Sequence, residues 1–225
     1  MLTLSFGAFG KKPGLVDFFQ VNVPRAFLGA WDAWLQRGLM AGRTELGPRW
    51  NGCYNTAPLW RFTLPARVAG PDPMIGVLMP SVDRVGRQFP LTLVAALPDD
   101  SAPLAAHLRA TRIFEALEDV ALDALEGALQ RADLEARLAA VPAGLGWPSG
   151  VSGQYGRAFY AARADEAGAL PDLAAALIAA DRPRLGYWSA QLDGAARTLA
   201  FDGLPEDGAI RMLFDISAPV WTAHA

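Results

Sequence analysis

Two apolar runs separated by a short charged segment limit the folds open to this chain. Residues 75–79 and 91–97 are rich in Ile, Leu and Val, and each has the length of a buried strand. Residues 80–90 join them, which is short of the dozen or so residues that a crossover between parallel strands needs. The two runs therefore predict antiparallel neighbours inside a sheet.

The connection between these runs concentrates polar side chains and forms the first candidate site. Pro80 and Pro90 bound it, and loops held by a rigid scaffold often carry function. The candidate side chains of this connection are Ser81, Asp83, Arg84 and Arg87. The flanking arginines should lower the pKa of Asp83 and favour a salt bridge over proton transfer. Three interpretations stay open at this point: a structural ion-pair network, partner recognition and catalysis.

The composition is that of an ordered globular protein without an electrostatic preference for nucleic acid. Hydrophobic residues make up 52% of the 225, the formal net charge is -3, and the basic residues are scattered. We therefore expect no nucleic-acid partner and no membrane insertion, since no apolar run reaches the ~20 residues of a membrane span. The N-terminus lacks the charge order of a secretory signal, so a cytoplasmic location is predicted. Cys53, the single cysteine, is predicted to be a buried structural thiol.

The first half of the chain predicts a sheet flanked by helices. Residues 2–9 and 60–64 alternate as strands do, and Pro24 suits the first turn of a helix that runs to about Arg43. The order is strand, helix and three strands, and its short connections require antiparallel pairing. The predicted fold class is therefore α/β of the α+β kind, with a mainly antiparallel mixed sheet flanked by helices.

The second half predicts further helices and a hairpin. Its predicted elements are one helix over 104–138, a glycine-rich linker over 142–156, a strand over 158–162, a helix over 171–180, a hairpin of 185–192 with 198–201, and a short terminal helix after Pro205. Pro171 and Asp172 are placed in the first turn of their helix. We predict a core domain over 1–141 and a smaller C-terminal extension over 157–225 on the same sheet, with a single domain as the alternative.

No catalytic, cofactor or metal site is predicted. His107 lies in a helix without a second ligand at a metal spacing, and the other histidine is penultimate, so neither Ser81 nor Cys53 has an evident base. The Ser81 hydroxyl is instead expected to bond nearby backbone. A carboxylate pair of Asp17 and Asp83 would require both of their loops to leave the same edge of the sheet.

Four stretches, in this order, resemble the TagF/ImpM family of type VI secretion-associated proteins. They are Gly10-Lys11-Lys12-Pro13 with Asp17-Phe18, Trp31-Asp32-Ala33-Trp34-Leu35, Ala57-Pro58-Leu59-Trp60-Arg61-Phe62 and, the most specific, GVLMPSVDRVGRQFPL over 76–91. A looser C-terminal similarity comprises Tyr187-Trp188-Ser189 and Phe201-Asp202-Gly203-Leu204-Pro205. Val16 departs from the pattern, since the family commonly has Gly there.

The resemblance implies a cytoplasmic accessory protein that restrains the type VI secretion apparatus post-translationally, with no established catalysis. It implies a forkhead-associated-domain scaffold protein as the partner and a fold similar to longin or profilin domains. We predict that the charged connection, with Lys11 and Asp17, forms part of the contact surface or a structural brace. The alternative is a small-molecule or nucleotide-binding switch at the Gly10-Lys11 turn, although the spacing there is not that of a phosphate-binding loop.

Overall fold

The computed structural model describes residues 4–15, 17–98, 102–125, 130–142, 151–155, 157–163 and 166–222. Its strands are β1 (Gly7–Gly10), β2 (Phe19–Val21), β3 (Trp60–Leu64), β4 (Met74–Met79), β5 (Leu91–Ala96), β6 (Val151–Tyr155), β7 (Ala158–Ala162), β8 (Leu185–Leu192) and β9 (Ala195–Asp202). Its helices are α1 (Arg25–Leu46), α2 (Trp50–Thr56), α3 (Pro103–Arg109), α4 (Thr111–Leu125), α5 (Arg131–Ala140), α6 (Glu166–Asp181), α7 (Arg211–Phe214) and α8 (Pro219–Thr222). Short 3-10 helices cover Gly47–Arg49 and Asp207–Ile210.

Seven strands form the central sheet in the order β2-β1-β5-β4-β3-β8-β9. Every pairing described in it is antiparallel, and the central pair aligns Met79 with Leu91 and Met74 with Ala96. This arrangement confirms the predicted fold class. The hairpin of β8 and β9 extends the sheet along β3, and β6 pairs with β7 in a separate two-stranded sheet.

Helices cover both faces of the central sheet, because its inner strands are apolar on both sides. On one face α1 packs Trp31 and Trp34 against Phe62 and Trp188, with ring centroids 4.9 to 6.1 Å apart across these contacts. On the other face, α3 to α5 pack against the opposite side chains of β4 and β5. The result is a three-layer arrangement of helices, sheet and helices, with one hydrophobic core on each face of the sheet.

Residues in β3 show how alternation divides the two cores. Trp60, Phe62 and Leu64 all join the α1 core, so they lie on one face of the strand as the alternation predicts. Arg61, on the opposite side, forms a two-bond ion pair with Glu118 of α4 at 2.6 and 2.7 Å. Thr63 is fully buried beside His107 of α3. Alternation at period two thus fixes which helix each side chain meets.

The C-terminal segment closes the α1 core. Trp34 donates its indole N–H to the carbonyl of Pro205 at 2.7 Å, and Trp60 donates to the carbonyl of Leu213 at 2.8 Å. Ile210 and Phe214 are buried, as predicted for the terminal helix. This segment and β8 pack on the core formed by the first half of the chain.

The predicted helix over 104–138 is wrong as one element. The structure divides it into α3, α4 and α5, and Ala110 ends α3 with φ -83° and ψ 24°. Ala110 is buried, so packing rather than helix propensity decides this break. The helical spacing of leucines within 104–138 predicts that Leu108 and Leu129 face the sheet, but Leu108 is exposed and Leu129 lies outside the described residues.

Several boundaries and burial predictions also need correction. The first strand is Gly7–Gly10, so residues 4–6 of the predicted strand lie before it, and residues 2–3 lie outside the described residues. Residues 151–155, inside the predicted linker, form β6, because β7 offers them a pairing partner. The rest of that linker falls partly on residues outside the described ranges, and the division into domains stays a prediction. Cys53 is half-buried on the short helix α2, so its predicted full burial is wrong.

The helix that contains Pro171 starts earlier than the sequence predicts. It begins at Glu166, so Pro171 lies inside it and not in its first turn. Asp172 is fully buried and forms ion pairs with Arg109 and Arg163. Its position therefore reflects charge pairing between α6, α3 and the end of β7 instead of interaction with the helix N-terminus.

Across the described ranges, no helix is long and apolar enough to cross a membrane.

Candidate functional site

Two loops meet at one end of the sheet, and they contain all six predicted site residues. The paired loops, as we call them, are residues 11–15 with 17–18, which join β1 to β2, and residues 80–90, which join β4 to β5. They meet because β1 ends where its antiparallel neighbour β5 begins, with Phe9 opposite Thr92. The backbone amide of Arg84 donates to the carbonyl of Leu15 at 3.0 Å.

A close backbone approach lies beneath the paired loops. Gly10 has φ 138°, and a β-carbon built there would lie 2.1 Å from the carbonyl oxygen of Pro90. Only glycine satisfies both the backbone angle and the space. The glycine of the first family-like motif thus fixes where one loop rests on the other.

Asp83 is the centre of a buried charge network between the paired loops. Its Oδ2 accepts hydrogen bonds from Lys11 Nζ at 2.9 Å and from Arg87 Nε at 2.6 Å. Its Oδ1 accepts from the backbone amides of Val85 at 3.0 Å and Arg87 at 2.8 Å. The Asp83 side chain is completely buried, whereas that of Arg87 is 55% exposed. The carboxylate therefore folds its own loop and fastens it to the end of β1.

Burial and hydrogen bonding act on Asp83 in opposite directions. Burial by itself raises the pKa of this carboxyl, but the bonds from Lys11 and from the backbone and side chain of Arg87 outweigh it. The pKa of Asp83 is consequently held below its usual range. A carboxylate with a lowered pKa is a weak base and is not protonated near neutral pH, so Asp83 is better suited to anchoring the loop than to general acid-base chemistry.

Tyr54 and Gln88 connect the 80–90 loop to the helices behind it. The Tyr54 hydroxyl donates to the Ser81 carbonyl at 2.8 Å and accepts from the Ser81 amide at 3.1 Å. Gln88 Oε1 accepts from Trp50 Nε1 at 2.6 Å, and Gln88 Nε2 donates to Asn51 at 3.2 Å. Helix α2 is thus bonded to both ends of the charged connection, which holds the loop in one conformation.

The outer side of the paired loops is exposed. Arg84 and Asp17 are exposed, and Val85 and Phe18 leave 62% and 50% of their surface accessible. Phe18 nevertheless stacks on Phe9 with centroids 5.7 Å apart. The paired loops therefore have a buried, bonded base and an exposed outer surface.

Five of the six predicted residues separate into a buried base and an exposed outer surface. Lys11 and Asp83 lie together in the base, and Arg87 reaches from the base to the surface. Arg84 and Asp17 lie on the outer surface. Asp83 is engaged by cationic and backbone donors, so the geometry does not support a catalytic pair with Asp17.

Ser81 does not play the role that the sequence predicts for its side chain. Its hydroxyl oxygen is buried and, within the described residues, has no hydrogen-bond partner. The prediction that this hydroxyl bonds nearby backbone is therefore wrong. Tyr54 instead binds the Ser81 main chain, because its side chain spans from α2 to the start of the loop.

Sequence reasoning missed a serine and a histidine that meet across the core. One ring nitrogen of His107 lies 2.8 Å from Ser189 Oγ, and the other lies 3.3 Å from Thr63 Oγ1. Ser189 and His107 are 82 positions apart in the sequence, which hides this contact from any local pattern. Burial lowers the pKa of His107 to about 4, with Arg61 contributing next. Both ring nitrogens face hydroxyls and the ring is buried, so this chain of bonds links α3 to β3 and β8.

The Gly10-Lys11 turn does not have the geometry of a phosphate-binding loop. Such a loop ends at the N-terminus of a helix, where free N–H groups face the anion. Here the chain continues into the antiparallel strand β2, and the Lys11 ammonium is engaged by Asp83. Among the described residues, no three His, Cys, Asp or Glu side chains gather as a metal ion would require.

Comparison with known proteins matches the chain to one family and one fold. Residues 7–141 match the family described as TagF N-terminal domain, Type VI secretion system-associated. The chain is also similar to the crystal structure of PA0076 from Pseudomonas aeruginosa PAO1, determined at 2.05 Å resolution. That similarity has a TM-score of 0.76 and 31% sequence identity, and it covers 94% of each chain. No curated protein sequence gives a significant match.

Proposed function

The chain belongs to the TagF family of type VI secretion system-associated proteins, and from this membership we propose that it is a non-catalytic regulator. It represses assembly of the secretion apparatus after translation, in the cytoplasm. It does so by binding a forkhead-associated-domain scaffold protein of that apparatus. The paired loops form part of the contact surface.

The observation that carries this proposal is the division of the paired loops into a fixed base and an exposed surface. The base contains the buried Lys11–Asp83 ion pair, and the surface presents Arg84 and Val85. A loop ordered before binding loses less conformational entropy when a partner docks on it. The extensive bonding below an exposed, mostly non-acidic surface supports recognition over catalysis.

The chemistry of the described residues supports a binding role in a second way. Asp83 is held ionised by its donors, and His107 is enclosed between two hydroxyls. Neither group is placed to move a proton to or from an external ligand. The nucleotide-switch alternative has no observation in its favour, since Lys11 already has an anionic partner.

Two measurements test the proposed function. Purified chain should bind the purified scaffold protein in calorimetry, and deletion of the chromosomal gene should raise release of a substrate of the system without changing transcript levels. Overproduction should lower that release. Absence of scaffold binding together with unchanged release in both strains would refute the proposal.

A substitution in the base of the paired loops tests whether Lys11 stabilises the loop or contacts the partner directly. Lys11→Met leaves the buried Asp83 carboxylate without one of its two charged partners, and it should lower the melting temperature because a buried charge is costly when its compensation is reduced. Any loss of scaffold binding by this variant should follow the loss of folded protein. If Lys11→Met melts like the unmodified protein but no longer binds, Lys11 contacts the partner directly and the division described above is wrong.

A further inference from the structure

The outer surface of the paired loops carries an apolar patch. Phe18, Leu15 and Val85 are exposed by 50%, 38% and 62%. The patch spans both loops, and the Arg84 amide bond to the Leu15 carbonyl holds them together. Single exposed apolar residues are ordinary, but neighbours on one rigid surface mark a place where a partner can bury them.

Phe18 is fixed although half of its surface is exposed. Its ring stacks on Phe9 and meets Phe89 edge to face with centroids 4.8 Å apart. The Lys11 ammonium lies 5.3 Å from its centroid. An aromatic ring held in place by three neighbours has little side-chain entropy left to lose. Such rings are typical anchors of protein interfaces.

The surface around the apolar patch is positively charged on a protein whose net charge is -3. The paired loops contain four cations, of which Lys11 and Lys12 are buried, and two carboxylates, of which Asp83 is buried and Asp17 is exposed. Lys11 and Arg87 share the single carboxylate of Asp83, which leaves one positive charge in excess at the half-exposed Arg87, and the exposed Arg84 adds another. The accessible charge next to the apolar patch is therefore mainly cationic.

We propose that the paired loops bind an acidic segment of the scaffold protein that covers the exposed side chains of Phe18 and Val85 with an apolar side chain of its own. This inference rests on the proposed function and specifies the chemistry of the partner. The apolar side chain covers the patch, and flanking carboxylates pair with Arg84 and Arg87. The positive loops on a negatively charged molecule orient the acidic segment during encounter, and this orientation weakens as salt shortens the screening length.

The test measures scaffold affinity by calorimetry at 50 and 300 mM NaCl for matched surface variants. Arg84→Ala removes the charge and Arg84→Glu reverses it, while the bonded Arg84 amide stays in the backbone. Val85→Ser removes apolar contact but preserves the amide that binds Asp83. Arg112→Glu, at an exposed position of α4 on the other helical layer, is the charge-matched control. Each variant is first shown to melt within a few degrees of the unmodified protein.

The proposal expects a graded result. Arg84→Ala should weaken binding several-fold, and Arg84→Glu by about ten-fold or more at low salt. The effect of Arg84→Glu should shrink at 300 mM NaCl. Val85→Ser should weaken binding by a similar factor at both salt concentrations, because loss of apolar contact is not screened. Arg112→Glu should bind like the unmodified protein.

Other outcomes overturn the inference and are distinguishable from failure of the proposed function. If the scaffold binds all four variants equally well, the proposed function stands and the paired loops are not its contact surface. Equal weakening by Arg84→Glu and Arg112→Glu would indicate a general charge effect instead of a local contact. Self-association of the chain, or its binding to anionic vesicles, that Arg84→Glu abolishes while scaffold binding persists would assign the surface to a different occupant.

Discussion

Acidification from pH 7 to pH 5 should destabilise this protein through one buried histidine. His107 contacts Ser189 and Thr63 through its two ring nitrogens and packs against Phe114, with centroids 5.1 Å apart. The side chain is almost fully buried, and Arg61 is close enough to disfavour a second positive charge. The neutral ring is therefore the form that the folded structure accommodates.

The size of the effect follows from the difference between two pKa values. Burial, with Arg61 contributing next, lowers the pKa of His107 to about 4 in the folded protein, and the unfolded chain returns it to about 6.5. The unfolded state binds the proton more tightly, so the stabilisation is complete above pH 6.5 and is lost as the pH falls towards 4. At pH 5 the free energy of unfolding should be about 2 kcal/mol lower than at pH 7.

Urea unfolding at the two pH values measures this change. With an m-value of about 2 kcal/mol/M, the midpoint should fall by roughly 1 M between pH 7 and pH 5. His107→Gln keeps a polar side chain that does not titrate, and its midpoint should change little. Carboxylates such as Asp83 titrate mainly below pH 4 in the unfolded chain, so they contribute little in this window. Equal midpoints of the unmodified protein at both pH values, or an equal pH dependence in His107→Gln, would refute the reasoning.

Two further substitutions test the base of the paired loops and the centre of the sheet. Tyr54→Phe leaves the buried amide and carbonyl of Ser81 without their shared hydroxyl. The free energy of unfolding, measured with urea, should fall by about 2 kcal/mol or more. A fall of less than half of that would mean that water replaces the hydroxyl. Gly76→Ala places a β-carbon 2.2 Å from the carbonyl of Leu93, which should cost about 1 to 3 kcal/mol. Gly52→Ala on α2 is the control, because nothing lies within 4 Å of the new β-carbon. It should leave the free energy of unfolding unchanged or raise it by up to about 1 kcal/mol. A similar loss of stability in both glycine variants would contradict the steric argument.

Strands with clear local signals were predictable from the sequence. Alternation locates β3, and Asp193-Gly194 locates the turn between β8 and β9. In the structure these two residues have φ 51° and 77°, the left-handed angles that a two-residue hairpin turn requires. In both cases the decisive information lies within a few neighbouring residues.

Elements decided by tertiary contacts were not predictable. Thr111, directly after Ala110, is a weaker helix former, but Arg109 and Arg112 beside it are good ones, so no strong local signal separates α3 from α4. β2 has only three residues and depends on pairing with β1. Pro171 suggested a helix start because proline is favoured there, yet α6 begins before it. Here packing against other layers outweighs the local preference.

The candidate site shows the same limit in its chemistry. The charged connection was recognisable because its residues are adjacent in sequence. Lys11 was predicted to belong with this connection, but its pairing with Asp83, 72 residues away, and the bonds of Tyr54 to Ser81, 27 residues away, were not. A single sequence cannot predict such pairs, because any of several Lys or Arg side chains could form the ion pair with Asp83.

The buried network explains why charge reversal at Asp83 is a poor probe of recognition. Asp83 accepts hydrogen bonds from two backbone amides and from two cationic side chains, so replacing it removes the bonds that give the loop its shape. Binding would then be lost whether or not the loop contacts a partner. Arg84 separates the two effects, because its backbone amide ties the loops together while its exposed side chain faces outward. A substitution that changes only the outward side chain therefore tests recognition while the loop keeps its structure.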